Sequence, residues 1–153
     1  MKHSVSYSKT LATNLQTSWS VLSDFGSIIH WVRGGEVGSI SISGTGIGTT
    51  RDLTLPSVGD VQHRLEELDE ANHLIAYSLT KGLPLGMKDY TVSISLTHSY
   101  GGCDMKWEGR FVAAPDVNAD ELALSLSAAY ESMTELFERF VLTHSGRSVP
   151  RPA

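Results

Sequence analysis

The chain has 153 residues, of which 41% are hydrophobic and 19% are charged, a composition typical of one globular domain. Its 12 basic and 17 acidic residues give a formal net charge of −5, and no run of lysines or arginines is present. Nucleic-acid phosphate and an anionic membrane surface are therefore poor partners for it. A single cysteine, Cys103, excludes an internal disulfide and a zinc site built from several thiolates.

The first residues lack the apolar run of a signal peptide, and no stretch approaches the ~20 apolar residues of a membrane span. We therefore expect a soluble, cytoplasmic protein without stable membrane insertion. Residues 1–145 are expected to form a single domain. Residues 146–153, which contain one glycine and two prolines, are expected to form a flexible tail.

Two patterns near the amino terminus predict a strand followed by two short helices. Val5 and Tyr7 alternate with serines, which is typical of a half-buried strand. A second apolar turn over residues 28–32 ends at the pair Gly34-Gly35 and predicts the second helix. The first helix is indicated by apolar residues at helical spacing, namely Leu15, Trp19, Leu22 and Phe25.

From residue 36 to 112 the apolar residues alternate with period two, and turn residues interrupt the pattern. This predicts six further strands, over 37–42, 47–55, 61–68, 74–80, 89–97 and 104–112. The connections are too short for a parallel crossover, so neighbouring strands should be antiparallel.

After residue 115 the period becomes helical. Asn118, with Glu121 three residues later, resembles a capping box, and the helix it begins should run to about Thr143. One face of this helix is apolar: Leu122, Leu126, Ala129, Tyr130, Met133, Leu136, Phe137 and Phe140.

The element order predicts an α+β fold, in which a curved antiparallel sheet of about seven strands wraps around the long C-terminal helix. Two short helices follow the first strand. One helix does not fill a strongly curved sheet, so we expect an internal cavity that accepts a small molecule.

Several motifs accompany this order. They are Gly46-Ile47-Gly48-Thr49-Thr50-Arg51, Arg64-Leu65-Glu66-Glu67-Leu68-Asp69 and Tyr77-Ser78-Leu79, with the spacing to Tyr90 and to Lys106-Trp107-Glu108-Gly109. From Val5 to about Phe140 the chain resembles the START/SRPBCC superfamily, which includes the birch-pollen-allergen fold and bacterial polyketide cyclase/dehydrase and lipid-transport proteins. The resemblance implies a helix-grip fold and a hydrophobic small-molecule ligand.

The loop spacing is similar to that of the plant abscisic-acid receptors, a branch of this superfamily. Leu55-Pro56-Ser57 stands where their gate would be, and Gly86-Met87-Lys88-Asp89-Tyr90 where their latch would be. Neither segment has the full motif, and residues 28–32 contain His30 but not the lysine that grips the hormone. The resemblance therefore implies a pocket with loops at its mouth, and not hormone sensing.

Strand parity, which is independent of the resemblance, places four polar or amphipathic side chains on the apolar face of the sheet. They are Arg51, His63, Tyr77 and Tyr90. The same parity points Ile47, Thr49, Leu53 and Leu55 inward on the strand of Arg51.

Burying an unpaired arginine costs on the order of several kcal/mol. A solvated cavity or an anionic ligand group would offset this cost. Alternatively, Arg51 lies at the cavity rim and reaches water, or it pairs with Asp24 or Glu67.

His63 is either a hydrogen-bonded core residue or an acid–base group, because the ordinary pKa of histidine lies near 6.5. Tyr77 and Tyr90 either pack with bonded hydroxyls or orient a polar ligand. The remaining expected ligand contacts are Trp107, Phe111, Tyr130, Met133, Phe137 and His30, several of which are equally well explained as core. No two histidines have helical metal spacing, so neither a metal nor a cofactor is expected.

Two functions follow from these residues. In the first, the cavity binds a lipid, polyketide or aromatic molecule for carriage or sensing. In the second, the chain is a polyketide cyclase/dehydrase-type enzyme, in which Arg51 stabilises an enolate or alkoxide oxygen and His63 or a tyrosine moves the proton during aldol closure or water loss. A homodimer, and a subunit that acts through protein contacts, are left open.

Overall fold

The computed structural model describes residues 2–32, 38–56, 59–83 and 86–148, with side chains through residue 143. Its elements in chain order are β1 (Lys2–Leu11), α1 (Leu15–Leu22), α2 (Ile28–Trp31), β2 (Ser39–Ser43), β3 (Thr50–Leu55), β4 (Gly59–Asp69), β5 (Leu74–Lys81), β6 (Met87–Ser99), β7 (Gly102–Ala113) and α3 (Ala119–Ser148).

The seven strands form one sheet in the order β1-β7-β6-β5-β4-β3-β2, and each pair of neighbours is antiparallel. From β3 to β7, each strand thus lies beside the strand that precedes it in the chain, and β1 pairs with β7 at the edge of the sheet. The predicted α+β helix-grip fold, with seven strands, two short helices and a long C-terminal helix, is confirmed.

The strand that carries Arg51 begins later than predicted. Gly44, Gly46 and Gly48 all have positive φ, which glycine adopts without the steric cost of a Cβ, and they carry the chain through a turn. Ile47 lies in that turn and is 61% exposed, so the prediction that it faces inward was wrong. Thr49 and the remaining inward residues of β3 are buried, as predicted.

Four predicted features fall partly or wholly on residues that the structure does not describe. Val37, where the next strand was predicted to begin, and the pair Gly34-Gly35 lie outside the described residues. So do Ser57 of the gate-like segment and residues 84–85 of the turn before β6.

The long helix begins as predicted, because the Asn118 side chain accepts a hydrogen bond from the backbone N–H of Glu121 at 3.0 Å. It continues to Ser148, past the predicted end near Thr143, and takes in the first residues of the expected tail. Residues 149–153, the rest of that tail, lie outside the described part. No helix in the described ranges combines the length and the hydropathy needed to cross a bilayer.

The two ends of the sheet are covered by different elements. α3 packs on β1 and β7 and contacts α1 and α2. At the other end, the segment between α1 and α2 reaches β3, where the Phe25 carbonyl contacts Arg51. β4 changes register between Gln62 and His63 and again between Leu65 and Glu67, which bends the sheet at this place.

Candidate functional site: a buried arginine on the inner face of the sheet

The inner face of the sheet carries a cluster of polar side chains at β3, β4 and β5. Arg51 on β3 pairs directly with His63 on β4, and Tyr77 lies on the next strand, β5. Strand parity correctly predicts that these side chains and Tyr90 are buried, since none is more than 8% exposed. Residues far apart in sequence therefore meet because their strands are neighbours and share a face.

The guanidinium of Arg51 is held entirely by neutral groups. Its Nε donates a hydrogen bond to His63 Nδ1 at 2.9 Å, and its Nη1 donates to the backbone oxygen of Phe25 at 2.7 Å. Its Cζ lies 3.8 Å from the ring centre of Phe25 and 4.5 Å from that of Tyr77. These rings attract a cation through their π faces.

Neither of the alternatives weighed for Arg51 describes its position. The side chain is only 3% exposed, so it does not reach water at a rim. Within the described residues it forms no ion pair with Asp24 or Glu67. Arg51 is therefore a buried cation that, within the described chain, has hydrogen-bond acceptors and aromatic faces around it but no ion-pair partner.

Burial lowers the pKa of Arg51 to about 10, an effect that its contact with Tyr77 partly opposes. The group remains a cation at neutral pH. Burial, and then the charge of Arg51, hold the pKa of His63 well below its usual value. His63 is therefore neutral, and because its Nδ1 accepts from Arg51 its proton lies on Nε2.

A second cluster, formed by Tyr90, Gly109, Trp107, Tyr130 and Thr134, lies where α3 crosses β6 and β7. The hydroxyls of Tyr90 and Tyr130 are hydrogen-bonded to each other. The indole Nε1 of Trp107 donates to Thr134 Oγ1 at 2.8 Å, and its ring stacks on Tyr130 with centroids 4.8 Å apart. A Cβ at Gly109 would overlap the Tyr130 hydroxyl, so only glycine lets the helix approach this closely. Large aromatic side chains thus fill this part of the interior.

The free space beside Arg51 is small, about 10 Å³, which is what a single water molecule needs. It is lined by Leu22, Asp24, Ser27, Trp31, Arg51, Ile75, Tyr77 and Ile94. The sequence led us to expect a chamber too large for the protein's own side chains to fill. At this site the structure differs, because the segment between α1 and α2 places Phe25 against Arg51 and α2 places Trp31 in the lining of the space.

The residues expected to contact a ligand separate into three groups. Arg51 and Tyr77 line the space, and His63 touches both through a hydrogen bond and a stacked ring 4.7 Å away. His30 is exposed on α2 and stacks with Phe140, with centroids 5.9 Å apart. The others pack in the interior: Tyr90, Trp107, Phe111, Tyr130 and Phe137 are buried, and Met133 is partly buried.

Sequence reasoning missed the role of Phe25, whose backbone carbonyl holds Arg51. A carbonyl is present at every residue, so no sequence signal could have identified it. It also missed Leu22 and Ser27, which line the space from the α1–α2 side. Leu22 is visible in the sequence only as part of an apolar helix face.

The latch-like segment does not form a free loop. β6 begins at Met87, so only Gly86, which has positive φ, remains in the turn before it. Among the described residues, no group of three or more His, Cys, Asp or Glu is placed to hold a metal ion.

Comparisons with solved structures find similar folds at low identity. Norcoclaurine synthase from Thalictrum flavum, in complex with dopamine and hydroxybenzaldehyde, has a TM-score of 0.72 and 20% identity, covering 94% of this chain and 88% of that chain. The protein XoxI from Bacillus cereus has a TM-score of 0.77 and 18% identity, covering 91% and 95%. Ara h 8.0201 has a TM-score of 0.75 and 19% identity, covering 94% and 99%. At these identities the likeness concerns the fold.

A search of curated proteins finds no match. The family model described as "Polyketide cyclase / dehydrase and lipid transport" matches residues 2–140, from the first strand to the last turns of the long helix. This match and the fold confirm the START/SRPBCC resemblance seen in the sequence. The chain therefore belongs to the polyketide cyclase/dehydrase and lipid transport family.

Proposed function

We propose that this protein binds a hydrophobic or amphipathic small molecule, such as a lipid, a polyketide or an aromatic compound, as a carrier or sensor. The ligand lies between the inner face of the sheet and the helices. The observation that carries this proposal is the buried Arg51, a cation whose hydrogen-bond partners are neutral.

A buried charge without an opposite charge destabilises a fold, and a hydrophobic side chain of similar volume is often better tolerated. Other inner-face positions of the sheet hold buried leucine, isoleucine and phenylalanine, whereas this position holds an arginine. Perturbed ionisable groups of this kind cluster at functional sites. Arg51 is thus better explained as a ligand contact than as a stabilising core residue.

In this proposal the polar end of the ligand lies at Arg51, with His63 and Tyr77 beside it. The apolar part extends along the aromatic interior toward Tyr90, Trp107, Phe111, Tyr130, Met133 and Phe137. Because the space at Arg51 is only about 10 Å³, roughly enough for one water molecule, entry needs the segment between α1 and α2 to move away from the sheet. His30, which lies on α2, would be near this entrance.

Native mass spectrometry of freshly purified protein tests the proposal directly. We expect wild-type protein to carry a small molecule through purification, or to retain one after incubation with a lipid extract, in a one-to-one complex. Arg51→Met should retain less of it, while Arg64→Met, which changes an exposed arginine on the outer face of β4, should retain as much as wild type. A wild-type protein that stays free of any ligand in both experiments would refute the proposal.

In the enzymatic alternative the proton is moved by His63 or by a tyrosine, and the geometry of the Arg51–His63 contact weighs against His63. A general base needs a free lone pair, but the Nδ1 lone pair of His63 already accepts from Arg51 and Nε2 carries the proton. Turning Nε2 into a base would require moving the proton and breaking that hydrogen bond. His63 is better suited to donate a hydrogen bond to a ligand oxygen.

If a cyclase or dehydratase reaction takes place, it would reveal itself as conversion of the co-purifying ligand. His63→Ala would then abolish the conversion while ligand affinity falls only modestly, and equal losses in both would favour simple binding. Cytoplasmic location and homodimer formation remain predictions from the sequence.

A further inference from the structure

We propose that the ligand carries an anionic oxygen group, a carboxylate, and that this group binds between the guanidinium of Arg51 and the indole N–H of Trp31. The inference rests on the proposed function and adds the charge and the chemical class of the ligand's polar end. Two independent observations support it, one at each of these residues.

The first observation is the hydrogen bonding of Arg51. A guanidinium has five N–H donors and accepts nothing. The bonds to His63 and Phe25 use two of them, Tyr77 takes a further side-chain hydrogen bond, and all three partners are uncharged. Since Arg51 also lines the free space, donors and a full positive charge are available there. An anion that enters this space gains a charge-assisted hydrogen bond in a site shielded from water.

The second observation is an orphaned donor. Trp31 is 3% exposed and lines the same space, and its Nε1 is buried without a hydrogen-bond partner in the described chain. Indole nitrogen is a donor only, so just an acceptor can satisfy it. The Phe137 ring packs against the indole at 82° with centroids 5.2 Å apart, which helps to hold it in place.

The rest of the lining fits the ligand class. Leu22, Ile75 and Ile94 present hydrocarbon to the space, as a fatty or aromatic acid requires next to its carboxylate. Ser27 also lines the space, but its hydroxyl donates to the backbone oxygen of Val21 at 2.6 Å. A flat carboxylate has two oxygens, one for the guanidinium and one for the indole N–H.

Among the described residues, Asp24 is the one carboxylate that lines this space. Its side chain accepts a hydrogen bond from the backbone N–H of Gly26 at 3.2 Å, and the residue is exposed. It lies too far from Arg51 to form an ion pair. Asp24 therefore leaves the cation unpaired, and its charge slightly opposes an incoming anion.

Matched ligands that differ only in charge test the proposal. Binding to the full chain at neutral pH would be measured by calorimetry for two pairs: dodecanoate against 1-dodecanol, and 2-naphthoate against 2-naphthylmethanol. We expect at least one acid to bind wild type about tenfold or more tightly than its alcohol. Arg51→Met should remove this preference, because it weakens binding of the acid far more than binding of the alcohol.

Trp31→Phe keeps an apolar ring but lacks the N–H, so we expect it to weaken binding of the acid more than binding of the alcohol and thus to reduce the acid preference. Asp24→Asn removes the nearby negative charge and should preserve or raise the affinity for the acid. Unfolding curves of each variant show whether it is folded. If Arg51→Met does not fold, Trp31→Phe still decides the test.

The outcomes separate the two proposals. If acid and alcohol bind equally, or if Trp31→Phe and Arg51→Met leave the preference intact, the carboxylate assignment is wrong although the binding function stands. If none of the four compounds binds and the purified protein carries no ligand, the binding function itself is wrong. A loss of acid affinity in Asp24→Asn would also contradict the assignment.

Discussion

Arg51 and His63 face each other across two strands, and only Arg51 is charged at neutral pH. Protonating His63 would place a second cation against the guanidinium and would remove the lone pair that accepts from Arg51 Nε. The pair is therefore stable in one protonation state only, with Arg51 charged and His63 neutral. This constraint predicts how stability depends on pH.

We expect the free energy of unfolding to fall as the pH drops below about 6.5. The unfolded chain binds a proton at His63 near the ordinary pKa, whereas the folded chain resists it until a much lower pH. Below about 6.5 the unfolded state therefore holds more protons, so acid favours unfolding, by up to about 1.4 kcal/mol per pH unit. Urea denaturation between about pH 6.5 and 5 measures this slope.

His63→Asn should be less stable at neutral pH. It should also lose the part of the pH dependence of the free energy of unfolding that is due to His63, because the asparagine side-chain oxygen can accept from Arg51 Nε without titrating. His98→Asn changes an exposed histidine on β6 and is the matched substitution outside the cluster. The idea fails if His63→Asn keeps the wild-type slope, or if His98→Asn removes as much of it.

At the scale of elements, the contact between α3 and the sheet depends on the absence of a side chain at one position, Gly109. Val92 and Gly109 are partners in the pairing of β6 with β7, and Tyr130 reaches down from α3 to the glycine. The close approach lets the Tyr130 hydroxyl meet that of Tyr90 on β6. One missing Cβ therefore fixes how near the helix lies to two strands.

Gly109→Ala should destabilise the fold by about 1–3 kcal/mol, the range typical of overpacking in a core. The added methyl group overlaps the Tyr130 hydroxyl, so the Tyr130 side chain, α3 or the strand must move. The double variant Gly109→Ala, Tyr130→Phe removes the hydroxyl and should recover part of the loss, because the next nearest atom would lie at 3.2 Å. Urea denaturation compares the three proteins; no recovery in the double variant would contradict this account.

The same interface contains a buried hydrogen bond whose loss should be measurable. Thr134 is fully buried on α3 and accepts from Trp107 Nε1. Thr134→Val conserves the shape but leaves the indole N–H without a partner, at a cost of about 1–3 kcal/mol. Thr143→Val on the exposed side of the same helix is the control and should cost much less. Equal losses would show that helix propensity, and not the hydrogen bond, decides the effect.

At the scale of the whole molecule, the proposed binding site is closed in this structure. The space beside Arg51 is bounded by α1, α2 and the sheet, and its volume of about 10 Å³ is roughly enough for one water molecule. Since α3 covers β1 and β7 while the segment between α1 and α2 covers β3, the interior can open on the β3 side without separating α3 from the sheet. Binding should therefore be coupled to a movement of the α1–α2 segment.

This coupling predicts the form of the binding kinetics. In stopped-flow experiments with dodecanoate, the observed rate should rise with concentration and then level off at a plateau set by opening of the site. Phe25→Ala removes the ring that packs on Arg51 and should raise the plateau. A rate that stays linear to the highest concentration, in wild type and variant alike, would mean that the site is open before the ligand arrives.

Much of the fold can be predicted from local patterns. Period two in the middle of the chain predicts the strands, and the shift to helical spacing after residue 115 predicts α3 together with its Asn118 cap. The inward position of Arg51 and His63 follows from parity, because alternate side chains of a strand must share a face. The start of β3 was misjudged at Ile47, where glycines that adopt positive φ extend the turn.

The chain by itself therefore determines the order of elements and which side chains face inward, since both depend on residues close in sequence. Only the tertiary structure decides what those side chains meet. Phe25 and Arg51 are 26 positions apart, and the carbonyl that joins them has no signature in the sequence. How far the interior is filled depends on where Phe25, Trp31 and Tyr130 come to rest across the sheet, and packing between distant segments sets that volume.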